Sequence, residues 1–321
     1  MADAVVIDTN VLPMWRGLDG PLWLSVRKLC AVLDIVLYIP EIVIHESVNL
    51  RRDKYSKVSA EFLSSLRGIS RFFDPEPLYV PDANEICTSW EQALRDAFSV
   101  LPIRGDDAVI ALEREALRKR PARKGRGARD SAIWMSALRL AEIDQTVFFV
   151  SGNTADFAVG KSGELHPQLT AESDAMPGEL KYVPSIYQLI ENLAPPIAAP
   201  TFTLIDVAEI LRVDIRDLVY AQAILREQFR DLSANDFSIE LVTLQEITPV
   251  QAYSISDKGL ALLKGRGSIT VGDPDDQISI EFDFGAWVDF DPQTGEPLSG
   301  EVYSAQPHVE SSPESDSDGW T

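Results

Sequence analysis

The stretch Ala4-Val5-Val6-Ile7-Asp8-Thr9-Asn10-Val11-Leu12 constrains the rest of this chain most. A short apolar run closed by an acid, a hydroxyl and an amide reads as a strand buried on both faces. Strands of that kind belong to parallel sheets covered by helices, whose ligands gather at the carboxyl ends of the strands. Asp8 therefore falls on the edge where a site would form. Burying a carboxylate alone is costly, so Asp8 needs a positive partner from later in the sequence.

Apolar spacing predicts helices over 21–33, 41–73, 83–100, 108–118 and 130–142, and a last one ending near Leu193. The first would present Leu22, Leu24, Val26, Leu29, Val32 and Leu33, and the second Phe62, Leu66, Ile69 and Phe73. Buried strands are expected at 35–39, 146–151 and 180–183, and the alternation implies an α/β domain over 1–193. The proline-rich stretch 194–200 reads as a linker. Beyond it come a helix over 205–229 and alternating segments at 238–242, 268–271, 277–282 and 286–288. These predict a smaller α+β module with antiparallel strands over 201–305, followed by a disordered acidic tail at 306–321.

The formal net charge is −21, unevenly spread. Residues 1–193 hold 22 Lys and Arg against 27 Asp and Glu, whereas residues 194–321 hold 7 against 23. Strong acidity argues against nucleic acid, but that objection falls on the second half alone. Its acidity fits a basic regulatory partner, a cover over the first half's cations, or a merely soluble surface. Cys30 and Cys87 lie in apolar helical surroundings and read as reduced packing residues of a cytoplasmic protein. No apolar run is long enough to span a bilayer, and the amino terminus lacks the basic flank of a signal peptide.

Four acids stand where a site would need them. Asp8 and Asp156 follow buried strands; Glu46 and Asp130 lie in early turns of helices, on faces shared with apolar residues. Each has an ordinary reading: a cap for Asp8 and Asp156, a solvated helix position for Glu46, a first-turn acid for Asp130. Together they form a set that stays ionised only with cations between its members, and hard oxygen ligands select Mg²⁺ or Mn²⁺. Asp106 and Asp107, after Gly105, read as helix caps, and Glu41 as a first-turn acid.

These residues carry a resemblance. Val6-Ile7-Asp8-Thr9-Asn10-Val11-Leu12, Ile39-Pro40-Glu41-Ile42-Val43-Ile44-His45-Glu46, the Gly-x-x-Asp helix start at Asp130 and Asn153-Thr154-Ala155-Asp156-Phe157 resemble, in order, the PIN-domain nuclease family. The resemblance covers about residues 3–193. It implies a PIN-like parallel sheet and a metal-dependent phosphodiesterase, usually acting on RNA. Asp8, Glu46, Asp130 and Asp156 would form the acidic cluster, supported by Thr9 or Asn10 and by Asn153. It also implies a toxin or phage-defence setting, and it leaves room for an oligomer.

In two-metal sites of this kind, ions about 3.5–4 Å apart activate water and stabilise the leaving oxygen. No histidine is required, and only His166 reads as a neighbour of the site. Arg114, Arg118, Lys119, Arg120, Arg123, Lys124, Arg126 and Arg129 run up to Asp130. They form either a solvated face or a guide for phosphates, without aromatics for base stacking. DNA as substrate, a catalytically silent PIN-fold scaffold and a small-molecule phosphatase are the alternatives to an endoribonuclease.

Overall fold

The structure is a computed structural model of the chain. It describes residues 3–14, 17–70, 79–123, 125–143, 145–160, 163–223, 237–271 and 278–308. The chain divides into two compact units, Met1–Leu193 and Ala194–Thr321.

In the first unit, β1 (Ala4–Ile7) is wholly buried, as its apolar run requires. It lies between β2 (Val36–Pro40) and β4 (Val147–Val150) in a parallel sheet, which β3 (Ser99–Leu101) and β5 (Leu180–Val183) complete in the order β3-β2-β1-β4-β5. The covering helices are α1 (Pro21–Val32), α2 (Glu41–Ile69), α3 (Ala83–Ala97), α4 (Gly105–Ala116), α5 (Ala128–Ala141), the short α6 (Thr154–Phe157) and α7 (Pro167–Ser173), and α8 (Ile186–Leu193). This is the parallel α/β architecture expected of the first half.

Four local expectations need correction. The helix expected over 83–100 stops at Ala97, and Ser99–Leu101 is an edge strand paired with Tyr38, Ile39 and Pro40. Three apolar-spaced residues look alike as a helix end or a strand, and only the partner strand decides. In α1 the buried residues are Trp23, Ser25, Val26, Leu29 and Cys30, while Val32 is exposed. Asp106 and Asp107 sit inside the first turn of α4, whose cap is Arg104, and Asp107 pairs with Arg139 of α5. Phe62 and Ile69 of α2 are exposed, and the expected extension to Phe73 lies outside the described residues.

In the second unit, an antiparallel meander of β6 (Phe237–Ile255), β7 (Lys258–Val271), β8 (Ile278–Phe290) and β9 (Pro297–Pro307) carries α9 (Leu204–Ala223) on one face. Val207, Leu211, Ile215, Val219 and Ala223 of α9 recur every fourth residue and form its buried stripe. The antiparallel α+β expectation is met, with strands longer than expected: 278–282 and 286–288 are parts of one strand, residue 277 lies outside the described residues, and 297–307 is an additional strand. Residues 194–200, expected as a linker, dock on β6, where Ile197 N–H donates to Ala252 O at 2.9 Å and Ser254 N–H to Pro195 O at 3.1 Å. Residues 224–229 of the expected helix and 309–321 of the expected tail lie outside the described residues, and Gln306 and Pro307 end β9.

Cys30 and Cys87 are buried free thiols, and among the described residues no helix is long and apolar enough to cross a membrane.

Candidate active site

The site grows from the carboxyl edge of the parallel sheet. The register pairs Ile7 with Val150, so the next residues, Asp8 and Ser151, emerge side by side. Asp8 is buried and its carboxylate is held by three donors: Thr9 N–H at 2.6 Å, Asn10 Nδ2 at 2.8 Å and Ser151 Oγ at 2.6 Å. It caps the short helical turn Thr9–Val11 as well as facing the site, so the two readings of this residue coincide. Gly152 N–H in turn donates to Asn10 Oδ1 at 2.6 Å, tying the turn after β1 to the turn after β4. Burial pushes the Asp8 carboxyl above the usual carboxylate range, and the nearby Glu46 adds to the shift against the pull of those donors.

Each other acid arrives on its own element. The Glu46 side chain, from α2, accepts from Thr9 Oγ1 at 2.8 Å. Asp130 enters in the first turn of α5, after Gly127, whose φ of +111° suits glycine. A Cβ at Gly127 would stand 3.1 Å from Asp130 Oδ2 and 3.2 Å from the Ala122 backbone, tighter than ordinary contact. Asp156 lies on α6, and Asn153 bridges the last two acids, Nδ2 donating to Asp156 Oδ2 at 3.2 Å and reaching Asp130 Oδ1 at 3.5 Å. Beneath them Trp134, Phe149 and Phe157 form a buried aromatic bed, with ring centroids 5.6 and 4.9 Å apart along the series.

The electrostatics tie the four together. Asp130 is pushed up to about 7, first by burial, then by Asp8, Asp156 and Glu46 in turn, with Asn153 opposing. Like charges within reach of one another raise a carboxyl in this way.

The basic segment divides by task. Arg114 is buried, donates to Arg120 O at 2.6 Å and pairs with Glu172, while Lys119 lies 3.7 Å from the same carboxylate. Arg120 Nη1 donates to Asp156 O at 2.8 Å. These three fasten the loop. Arg123 Nε lies 3.5 Å from Asp156 Oδ1, and Arg129 pairs with Glu46. Arg126 and Arg129 line an open cavity of about 260 Å³ together with Gly127, Asp130 and Asp156. Arg118 is exposed, and Lys124 lies outside the described residues. His166 is half-buried beside Arg120 and Arg123, and its pKa is lowered by desolvation and by those two cations.

Four hard oxygen donors suit a divalent ion of the Mg²⁺ type, and the uncompensated charge at Asp130 is what such an ion would neutralise. As the side chains stand, no group of three or more His, Cys, Asp and Glu among the described residues could hold a metal ion. Arginines sit on two of the four acids, and Asp8 is turned into its own hydrogen bonds. The donor chemistry therefore fits, with two of the seats taken by cations of the protein.

Ser151 escaped the sequence reading. It is one more serine in the sequence; the signal is positional, the first polar residue after the strand that neighbours β1.

Residues 5–157 match the family model described as PIN domain. Comparisons with curated proteins and with solved structures gave no match.

Proposed function

The N-terminal unit belongs to the PIN-domain family, and from that premise we propose that the protein is a divalent-metal-dependent endonuclease, with RNA as its first substrate. The observation that carries this reading is Asp130. Burial first, and then three other carboxylates delivered by three other elements, push its pKa up to about 7, an arrangement that opposes stability and serves a site. Asp8, Glu46, Asp130 and Asp156 would hold Mg²⁺ or Mn²⁺, which when bound supplies charge for activating water and stabilising a leaving oxygen.

The remaining work falls to the chain's own side chains. Thr9 orients Glu46, Asn153 spaces Asp130 from Asp156, and Asn10 with Ser151 fixes Asp8. Arg118, Arg123, Arg126 and Arg129 offer charge for the phosphate backbone, without base readout. The acidic second half suits a basic protein partner that regulates the nuclease. By fold analogy alone, the setting is a toxin or phage-defence effector.

The test is cleavage of labelled single-stranded RNA and matched DNA by the full chain in Mn²⁺ or Mg²⁺, beside Asp8→Asn and Asp130→Asn. Cleavage lost in EDTA and in both variants supports the reading, and the RNA-to-DNA ratio decides the substrate. No cleavage of either sinks it. The arginines on Glu46 and Asp156 favour a second reading, a silent nucleic-acid-binding scaffold; binding without cleavage would select it.

A further inference from the structure

Two cations of the basic segment differ from the rest in where they end. Arg114, Lys119 and Arg120 fasten the loop to Glu172 and to a backbone carbonyl. Arg129 and Arg123 end instead on two of the four acids, Glu46 and Asp156, from side chains 63% and 40% exposed. Arg129 directly precedes Asp130 in the first turn of α5, so one turn of backbone delivers both a carboxylate and a cation to the cluster. It also lines, with Arg126, Asp130 and Asp156, the open cavity of about 260 Å³.

We propose that Arg129, with Arg123 beside it, is a two-position phosphate ligand. It neutralises Glu46 while no divalent ion is bound, and turns to the nucleic-acid phosphate once an ion takes that carboxylate. This rests on the nuclease reading and names how that same site is regulated. The Arg129 end of the pair is largely exposed although Glu46 is only 19% exposed, and an ion pair open to water on one side contributes modestly, so a divalent ion can displace Arg129. An arginine released beside a newly bound cation is repelled from its old seat, and its planar fork suits a phosphate in both charge and geometry. The chain's own guanidinium and a divalent ion thus compete for Glu46, and metal and nucleic acid help each other bind. Reciprocal coupling of this kind typically amounts to about 5–150-fold.

The experiment titrates the full chain with Mn²⁺ alone by calorimetry, for the wild type, Arg129→Ala, Arg129→Lys and Arg126→Ala. Arg126 lines the same cavity and controls for the mere loss of a charge. Arg129→Ala is expected to bind Mn²⁺ about tenfold tighter, Arg126→Ala less than about threefold tighter, and Arg129→Lys close to wild type. In a second arm, anisotropy of labelled single-stranded RNA in EDTA and in Ca²⁺ reads the coupling. Wild-type affinity should rise about tenfold with Ca²⁺, and the rise should vanish in Arg129→Ala.

Unchanged or weaker Mn²⁺ binding in Arg129→Ala, or equal tightening in Arg126→Ala, overturns the inference and leaves the nuclease standing. Mn²⁺ bound by no variant overturns both. Circular dichroism of Arg129→Ala checks the fold, and Arg129→Lys, which keeps the charge, separates competition from packing.

Discussion

The two units bury their sheets in opposite ways. The first has five parallel strands of three to five residues, the second four antiparallel strands of 11 to 19. Every buried polar or charged residue among those described, Asp8, Ser25, Ser47, Arg114, Ser131, Ser136, Ser151 and Ser173, lies in the first unit. A parallel sheet brings the carboxyl ends of its strands to one edge, so residues following β1, β2 and β4 converge there. A meander alternates its strand ends between two edges and brings no such set together. In the second unit, glycines carry the close contacts instead: Gly259, Gly265 and Gly267 of β7 stand opposite Phe290, Phe284 and Phe282 of β8. A Cβ at any of the three would enter the facing ring. One unit spends its precision on charge, the other on shape.

The largest expected effect tests the first half of that contrast. Asp8→Asn removes one charge and keeps the shape and most of the hydrogen bonds. It should lower kcat for RNA cleavage by about 10²-fold or more, with an unchanged circular-dichroism spectrum. A loss under tenfold would mean that the cluster is structural.

The second half is tested at Gly265, where a Cβ would meet both Glu246 O and the Phe284 ring. Gly265→Val should cost about 1–3 kcal/mol by overpacking, read as a lower unfolding midpoint. Cleavage measured below that transition should not change. A stable Gly265→Val chain would show that the meander is not packed to this tolerance.

How much of this was legible follows the same division. The strand β1 and its acid stood out because four apolar residues run straight into Asp8, and the bounds of β5 were readable from Leu180 to Val183. The edge strand Ser99–Leu101 was not, since its identity rests on Tyr38–Pro40, about sixty residues away. Nor was the split of the basic segment into fasteners and arms that end on the acids, because Glu172 is remote in sequence and only folding brings it to Arg114. In β7 the glycines lower strand propensity and broke the alternation, which concealed that each one makes room for a phenylalanine on the next strand.

A smaller effect separates function from stability at Asp130. Its folded pKa of about 7 exceeds the ordinary value of 3.8, so the group opposes folding once ionised. That penalty is absent below about pH 3.8, grows as the pH rises toward about 7, and is constant above. Asp130→Asn should therefore raise the unfolding midpoint in EDTA at pH 8, and the gain should shrink as the pH falls toward 4. Because the variant should also lose cleavage, stability and activity would move in opposite directions. A midpoint that falls at pH 8 would mean that Asp130 is compensated in the apoprotein and that its neighbours do not repel it.

The smallest effect lies one residue on. Ser131 is fully buried in α5, and its hydroxyl has no hydrogen-bond partner among the described residues. An unpaired buried hydroxyl costs about 1–3 kcal/mol, so Ser131→Ala should be neutral or stabilise by about 1 kcal/mol in EDTA. Among its described residues the second unit offers no equivalent position, since no buried side-chain polar atom there lacks a hydrogen-bond partner. If Ser131 is merely tolerated, cleavage will be unchanged in the variant. If cleavage falls while the midpoint rises, the hydroxyl serves the acid beside it, and the list of polar residues needed by the Asp130 cluster grows by one.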